Sequence, residues 1–159
     1  MGFLITIRPA VSTDYPAVAR LLRQIARQHC ELRPDVFRPA QKYDKKQYAK
    51  LLKEKDSPIL VAENEAGEVL GYAMCQVKEW KGHAVVFDHR LLYLDDLCVD
   101  EACRSQGIGA RLMEGVVALA RERGLARIEL NVWECNEAAL RFYERQGFAT
   151  QKRTLEIQI

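Results

Sequence analysis

The feature that most constrains this 159-residue chain is an apolar segment, a glycine-containing turn and a long amphipathic stretch in direct succession. The segment is Leu91–Val99, the turn is Arg104-Ser-Gln-Gly-Ile-Gly109, and the amphipathic stretch is Gly107–Arg123. Apolar residues recur at helical spacing in that stretch, so the succession predicts a strand, a tight turn and a helix. The first amides of such a helix lack intrahelical partners, and the helix dipole makes that end electropositive. The turn is therefore a candidate phosphate site.

The residue types in the turn support this interpretation but leave an alternative open. Gly107 and Gly109 allow the backbone to approach an anion, and the Arg104 guanidinium suits phosphate oxygens. A P-loop is excluded because the chain contains no Gly-Lys-Ser/Thr, and a dinucleotide fingerprint is excluded because position 112 is leucine. The alternative is that the glycines only allow the helix to pack close to the strand.

Periodicity along the rest of the chain predicts an α/β fold, with one central mixed sheet and helices on both faces. The element order is β-α-α-β-β-β-α-β-α-β-β, within a single domain over residues 1–159. The predicted strands are Phe3–Arg8, Ile59–Glu63, Val69–Val77, Leu91–Val99, Arg127–Val132, Phe148–Thr150 and Thr154–Ile159. The first predicted helix begins at Thr13 or Asp14. Three further helices are predicted over about Asp44–Lys53, Gly107–Arg123 and Glu137–Gln146.

Composition excludes several classes of function. The formal net charge of +2 gives no case for nucleic-acid binding. No apolar run reaches the length of a membrane span, so we expect no membrane partner and a cytoplasmic protein. The five cysteines form no Cys-x-x-Cys pair, which favours free thiols over disulfides or a metal site. The three histidines fall in separate segments and are expected to be surface or loop residues.

A second segment, Leu130–Phe148, narrows the function. Asn136 ends a predicted strand and caps a predicted helix, and Tyr143 lies two turns into that helix. Together with the glycine turn, this segment resembles the GNAT superfamily of acetyl-CoA-dependent N-acetyltransferases, specifically from about Leu91 to Phe148. Ile7-Arg8-Pro9 fits the family's opening more loosely.

The resemblance implies transfer of acetyl from acetyl-CoA to an amine by direct attack, with no metal. It implies that the strands ending at Val99 and near Val132 splay apart, so that pantetheine enters between them. The implied cofactor-binding residues are Leu97, Cys98 and Val99 for pantetheine, Arg104, Ser105, Gln106, Gly107, Ile108, Gly109 and Ala110 for the diphosphate, and Asn136 and Tyr143 for the cofactor arm.

The resemblance also suggests catalytic residues. Tyr143 is the candidate that protonates the departing thiolate. Asp95 is the candidate base or water anchor, because it stands where the similar spermidine/spermine acetyltransferases carry a glutamate, and Asp96 is the second candidate. Strand alternation predicts that these two carboxylates lie on opposite faces, with only one facing the acetyl group.

Several functional alternatives stay open. A small-molecule amine, polyamine-like or other, is the first acceptor class, although Arg27, Arg33 and Arg38 would repel a polycation. A ribosomal-protein-type Nα-acetyltransferase is the second reading, and a non-catalytic acyl-CoA sensor is the third. The predicted strand Thr154–Ile159 also offers an edge that a partner chain could pair with, as in a homodimer.

Overall fold

The computed structural model describes residues 4–159 and contains a mixed sheet flanked by helices. The strands are β1 (Thr6–Pro9), β2 (Ile59–Glu63), β3 (Val69–Trp80), β4 (His89–Val99) and β5 (Ile128–Glu129). The helices are α1 (Tyr15–Leu32), α2 (Lys45–Leu51), α3 (Ile108–Glu122) and α4 (Glu137–Arg145). The spatial order is β1-β2-β3-β4-β5, antiparallel from β1 to β4, with β5 parallel to β4.

Each face of the sheet carries its own apolar core. Leu112 and Val116 of α3 are fully buried against Leu92 and Leu94 of β4. On the other face, α1 and α2 pack on β2 and β3, and the buried residues there include Leu21, Leu22, Tyr48, Val61 and Tyr72. Burying one large apolar side chain contributes about 1.5–3 kcal/mol, so these two layers supply the main driving force for folding. The predicted mixed sheet with helices on both faces is confirmed.

Helix α3 lies unusually close to the first two strands, and Gly115 makes this approach possible. A Cβ atom at Gly115 would lie 2.7 Å from Ile7 Cγ2 and 3.3 Å from Leu60 Cδ1. Those distances are shorter than van der Waals contact, so glycine is the residue that fits there without displacement of β1. This contact fixes the height of α3, and therefore of its first turn, above the sheet.

An ion-pair network ties β1 to β2 and to the turn that precedes α1. The Arg8 guanidinium donates to Asp14 Oδ2 at 2.8 Å and to Asp14 Oδ1 at 2.9 Å, and it also contacts Glu63 of β2. Asp14 accepts a further bond from the Val11 amide at 2.8 Å. The Asp14 side chain is only 7% exposed. The hydrogen bonds from Arg8 hold the pKa of Asp14 below its ordinary value, although burial opposes this shift.

Three predicted strands in the C-terminal third of the chain were wrong or partly wrong. Segments Phe148–Thr150 and Thr154–Ile159 form no strand. In the second segment Leu155, Ile157 and Ile159 stay exposed, so no buried apolar face fixes a register beside the sheet. Strand β5 is shorter than the predicted Arg127–Val132, because the chain turns away from β4 after Glu129. The first strand begins at Thr6, and the predicted start at Phe3 lies outside the described residues.

Replacing Asp14 with asparagine tests the network. We expect Asp14→Asn to lower the free energy of unfolding by about 1–3 kcal/mol at pH 7, because a charged hydrogen-bond acceptor is lost from a buried position. Because the pKa of Asp14 is lowered in the folded state, this stability is complete above the ordinary value near 4 and is lost as the pH falls through the folded value. Urea denaturation at pH 7 and below pH 4 measures the difference. The exposed Asp56→Asn variant is the matched control, and an equal loss in both variants would contradict the account.

Candidate functional site

Strands β4 and β5 separate partway along β4. Their parallel pairing covers only Leu92 with Ile128 and Tyr93 with Glu129. Strand β4 continues for six further residues to Val99, while the chain after β5 leaves the sheet. The two strands therefore splay apart, as the family resemblance implied, and an opening borders one edge of β4.

The backbone groups of two β4 residues point into this opening. The Asp100 amide donates to Leu70 O of β3 at 2.8 Å, and in an antiparallel pair such bonds recur at every second residue. Leu97 and Val99 are thus the residues whose N–H and C=O groups face away from β3, toward the missing neighbour. Gln24 of α1 donates to Val99 O at 2.9 Å. Leu97 in particular offers a donor and an acceptor to an extended ligand lying along the edge.

Cys98, predicted with Leu97 and Val99, does not face the opening. Its side chain is buried beneath α1, where the thiol contacts the Gln24 amide nitrogen at 3.5 Å and Leu21 O at 3.6 Å. Burial raises the pKa of the Cys98 thiol to about 12. Strand alternation is the reason: Cys98 lies between Leu97 and Val99, so its backbone groups pair with β3 and do not face the opening.

The glycine turn leads directly into α3 and adjoins the end of β4. Ser105 and Gly107 have φ values of 65° and 77°, so two left-handed residues curl the backbone before the helix. The first intrahelical bond runs from the Arg111 amide to Gly107 O at 3.1 Å. The amides of the three residues before Arg111 therefore point out of the helix end. Residues 104–107 are exposed, and Ile108 is buried in the core while Gly109 and Ala110 are partly buried.

The two glycines of the turn have different structural roles. A Cβ atom at Gly107 would meet nothing within 4 Å, so the positive φ is what favours glycine there. At Gly109, a Cβ atom would lie 3.1 Å from the Phe142 ring and 3.8 Å from Val99 Cγ2. Close packing of the helix, the alternative left open for both glycines, accounts for Gly109.

Helix α4 brings Tyr143 to the same region. Asn136 caps the helix, with its side chain accepting from the Ala139 amide at 3.2 Å. The Tyr143 ring packs edge-on against Phe142 and Phe148, with centroids 5.1 Å and 5.6 Å away. Burial raises the pKa of Tyr143 to about 12. Its hydroxyl is consequently a neutral hydrogen-bond donor at physiological pH.

A β-bulge places Asp95 and Asp96 on the same face of the sheet. Met74 pairs with Asp96 and Cys75 with Leu94, so Asp95 is an extra residue in β4. The bulge reverses the side-chain alternation, and both carboxylates reach the face covered by α1 and α2. The predicted placement on opposite faces is therefore wrong.

The two carboxylates meet a lysine that the sequence did not single out. Lys42 Nζ lies 2.6 Å from Asp95 Oδ2 and 3.2 Å from Asp96 Oδ2. Burial raises the pKa of Asp96, although the nearby ammonium opposes that shift. The pKa of Lys42 is also raised, because the attraction of Asp96 and Asp95 outweighs the effect of burial.

Aromatic side chains form a wall beside this charged group. Phe37 stacks on His29 with centroids 4.8 Å apart and meets Trp133 edge-on at 5.6 Å. Burial lowers the pKa of His29, and the charges of Asp96 and Lys42 also act on it. The loop between α1 and α2 has no periodic pattern of apolar residues, so Phe37 and Lys42 were not predicted as site residues. His89 instead stacks on Trp80 at the far end of β4, 4.7 Å away.

A metal site and a membrane span are both absent from the described residues. In residues 4–159, no group of three or more His, Cys, Asp or Glu side chains is placed to hold a metal ion. Over the same range, each helix is too short or too polar to cross a membrane.

Comparison with known proteins gives a consistent answer. The model of the acetyltransferase (GNAT) family matches residues 20–148. Streptothricin acetyltransferase from Streptomyces lavendulae is 33% identical over 94 residues, which cover 59% of this chain and 46% of that enzyme. The chain thus spans about half the length of the curated relatives it matches.

Solved structures resemble the chain over nearly its whole length. A tetramutant of the BH1408 protein from Bacillus halodurans superimposes with a TM-score of 0.92 and 30% identity, covering 97% of this chain and 99% of that one. The aminoglycoside N-acetyltransferase AAC(6')-Iy in complex with CoA shares the fold, with a TM-score of 0.73 at 14% identity, covering 100% and 97% of the two chains. With the family model matching most of its length, the chain belongs to the GNAT family of acetyltransferases.

Proposed function

We propose that this protein transfers the acetyl group of acetyl-CoA to a primary amine of a small molecule by direct attack. The observation that carries the proposal is the continuity of the opening beside β4. At one end it adjoins the electropositive start of α3, and along its side it presents the backbone of Leu97. Coenzyme A has the matching chemistry, an anionic diphosphate joined to an extended arm that contains amides.

The proposed binding mode assigns a contact to each part of the cofactor. The diphosphate accepts hydrogen bonds from amides between Ser105 and Ala110, with the exposed Arg104 supplying a guanidinium. The pantetheine amides pair with Leu97 and Val99 as a short additional strand. Asn136, at the start of α4, borders the opposite side of the opening and contacts the arm.

Deprotonation of the acceptor is the first chemical requirement. An amine with the pKa of a lysine needs about 4.6 kcal/mol to lose its proton at pH 7. Asp96 is the better placed base, because burial raises its pKa toward the working pH, where a base is most effective. Asp95, the residue favoured from sequence, completes the carboxylate pair that orients the amine.

The departing thiolate is the second requirement. A full proton transfer from Tyr143, with a pKa of about 12, to a thiolate with a pKa of about 8.5 is uphill by about 5 kcal/mol. Tyr143 therefore acts as a hydrogen-bond donor to the developing charge on sulfur rather than as a strong acid. The neutral amine forms the N–C bond, the C–S bond breaks, and the amine proton leaves through the carboxylate pair.

We also propose that the reaction takes place in the cytoplasm. All five cysteines are free, including the exposed Cys135, as is usual in a reducing compartment. This supports the cytoplasm as the site of the reaction.

Replacing Tyr143 with phenylalanine separates chemistry from binding. We expect Tyr143→Phe to lower kcat by about 100-fold, because one hydrogen bond to the developing anion is lost. The Kd for acetyl-CoA should change less than threefold, since the ring and its packing remain. Stopped assays of CoA release give kcat, and calorimetry gives Kd. Unchanged turnover would remove Tyr143 from the mechanism.

We also propose that the chain forms a homodimer through its C-terminal segment. Leu155 and Ile157 alternate along this segment and are 89% and 85% exposed, and Ile159 continues the pattern. Three alternating apolar side chains on the surface fit a strand that pairs with a second copy. The contact of Glu156 with Arg33 at 3.1 Å holds the segment near α1.

Light scattering coupled to gel filtration tests the dimer. The unmodified chain is expected to have twice the chain mass of 18.2 kDa. The double variant Leu155→Ser, Ile157→Ser should have the mass of the monomer, because it loses the apolar face of the segment. A double variant of the polar positions on the same segment, Thr154→Ser and Gln158→Ser, is the matched control. A monomeric unmodified chain would contradict the proposal.

A further inference from the structure

Two carboxylates, those of Asp95 and Asp96, bind the ammonium group of Lys42, which is itself a primary amine. Its Nζ contacts Oδ2 of both Asp95 and Asp96, at 2.6 Å and 3.2 Å. The Asp96 side chain is 9% exposed and the Asp95 side chain 21%, so the pair is shielded from most of the solvent. Charge-assisted bonds of this kind are among the strongest in proteins.

We propose that Lys42 is a specificity-determining residue that fills the ammonium seat of the Asp95–Asp96 pair, so that the enzyme accepts amines with one positive charge and discriminates against diamines and polyamines. This inference rests on the proposed function, since it concerns the acceptor of that reaction. It also concerns the acceptor class that the sequence left open, of which a polyamine-like amine was the first candidate.

The local charge balance supports a single incoming cation. Two carboxylates facing one ammonium leave one net negative charge, which one substrate ammonium neutralises. His29 adds none at neutral pH, because burial lowers its pKa. Arg33, whose guanidinium lies over the Trp133 ring, is engaged by Asp35 at 2.7 Å and by Glu156 at 3.1 Å. A second substrate ammonium would therefore meet Lys42 instead of a free carboxylate.

The free hydrogen-bond acceptors of the Asp95–Asp96 pair also support the binding of one substrate amine. Lys42 uses Oδ2 of each aspartate, and within residues 4–159 neither Oδ1 atom accepts a bond from another residue. Tyr72 supplies a second polar group, since its fully buried hydroxyl has no hydrogen-bond partner within the same range. The negative charges of Asp96 and Asp95 act on that hydroxyl. The two Oδ1 atoms and the Tyr72 hydroxyl thus remain to bind one substrate amine beside Lys42.

The loop that carries Lys42 is anchored independently of this contact. Gln41 donates to Tyr43 O at 2.6 Å and to the Tyr15 hydroxyl at 3.0 Å. Asp44 caps α2 through the Gln47 amide at 2.7 Å. Replacing the Lys42 side chain therefore removes a charge from the seat while the loop keeps its attachments to α1 and α2.

The test compares acceptors that differ by one ammonium. CoA release is measured at saturating acetyl-CoA with 1-aminobutane and with 1,4-diaminobutane, for the unmodified enzyme and for Lys42→Met. We expect the unmodified enzyme to prefer the monoamine in kcat/KM. In Lys42→Met the ratio of diamine to monoamine should rise by about ten- to a hundredfold, the value of a hydrogen bond to a charged group. Lys46→Met, an exposed lysine on α2, is the matched control and should keep the original ratio.

The other possible outcomes distinguish failure of the proposed role of Lys42 from failure of the proposed acetyltransferase function. A ratio that is unchanged in Lys42→Met, with normal turnover of the monoamine, would overturn the role of Lys42 and leave the acetyltransferase intact. A preference of the unmodified enzyme for the diamine would overturn that role without any variant, which covers the case in which Lys42→Met does not fold. No transfer to either amine by an enzyme that binds acetyl-CoA in calorimetry would overturn the proposed function and this inference with it.

Discussion

The separation of β4 from β5 is the constraint on which the proposed site depends. Only two residue pairs join these parallel strands, and a parallel pair of that length contributes little to the stability of the sheet. What holds β4 in place is its long antiparallel ladder with β3 and the core beneath α3. Since the sheet is stable without a second neighbour for the last six residues of β4, the backbone of Leu97 remains available to a ligand.

The second constraint is the β-bulge at Asp95, which turns a regular strand into a charged site. Leu94 and Leu97 both face the α3 core, and the two aspartates between them face the other side. In a regular strand one of the carboxylates would have been buried among the leucines of the α3 core, at a cost of several kcal/mol without a partner. The bulge places both carboxylates where Lys42 neutralises part of their charge, close to the aromatic wall of Phe37 and Trp133.

Much of this architecture could be predicted from residue patterns. The helical spacing after Gly107, the cap at Asn136 and the start of the second helix near Asp44 were all recognisable, because they depend on local sequence. The family resemblance supplied the splayed strands. The prediction of two C-terminal strands was wrong, because apolar alternation such as that of Leu155 and Ile157 shows that a segment can pair, but not that its apolar face becomes buried.

The charged part of the site lay beyond sequence reasoning for a different physical reason. A bulge changes register without any change in composition, so the convergence of Asp95 and Asp96 followed only from the pairing with β3. Lys42 lies more than fifty residues before its partners in a loop without periodicity, where a lysine is ordinarily solvated. The contact brings the loop between α1 and α2, which the resemblance left undescribed, next to the two carboxylates proposed to bind the acceptor.

A crystal structure of the protein with bound coenzyme A tests the central claim most directly. The account predicts that the diphosphate oxygens lie about 3 Å from amide nitrogens between Ser105 and Ala110, and that a pantetheine amide pairs with the backbone of Leu97. A diphosphate bound elsewhere on the surface, or an arm that runs outside the opening between β4 and β5, would contradict it.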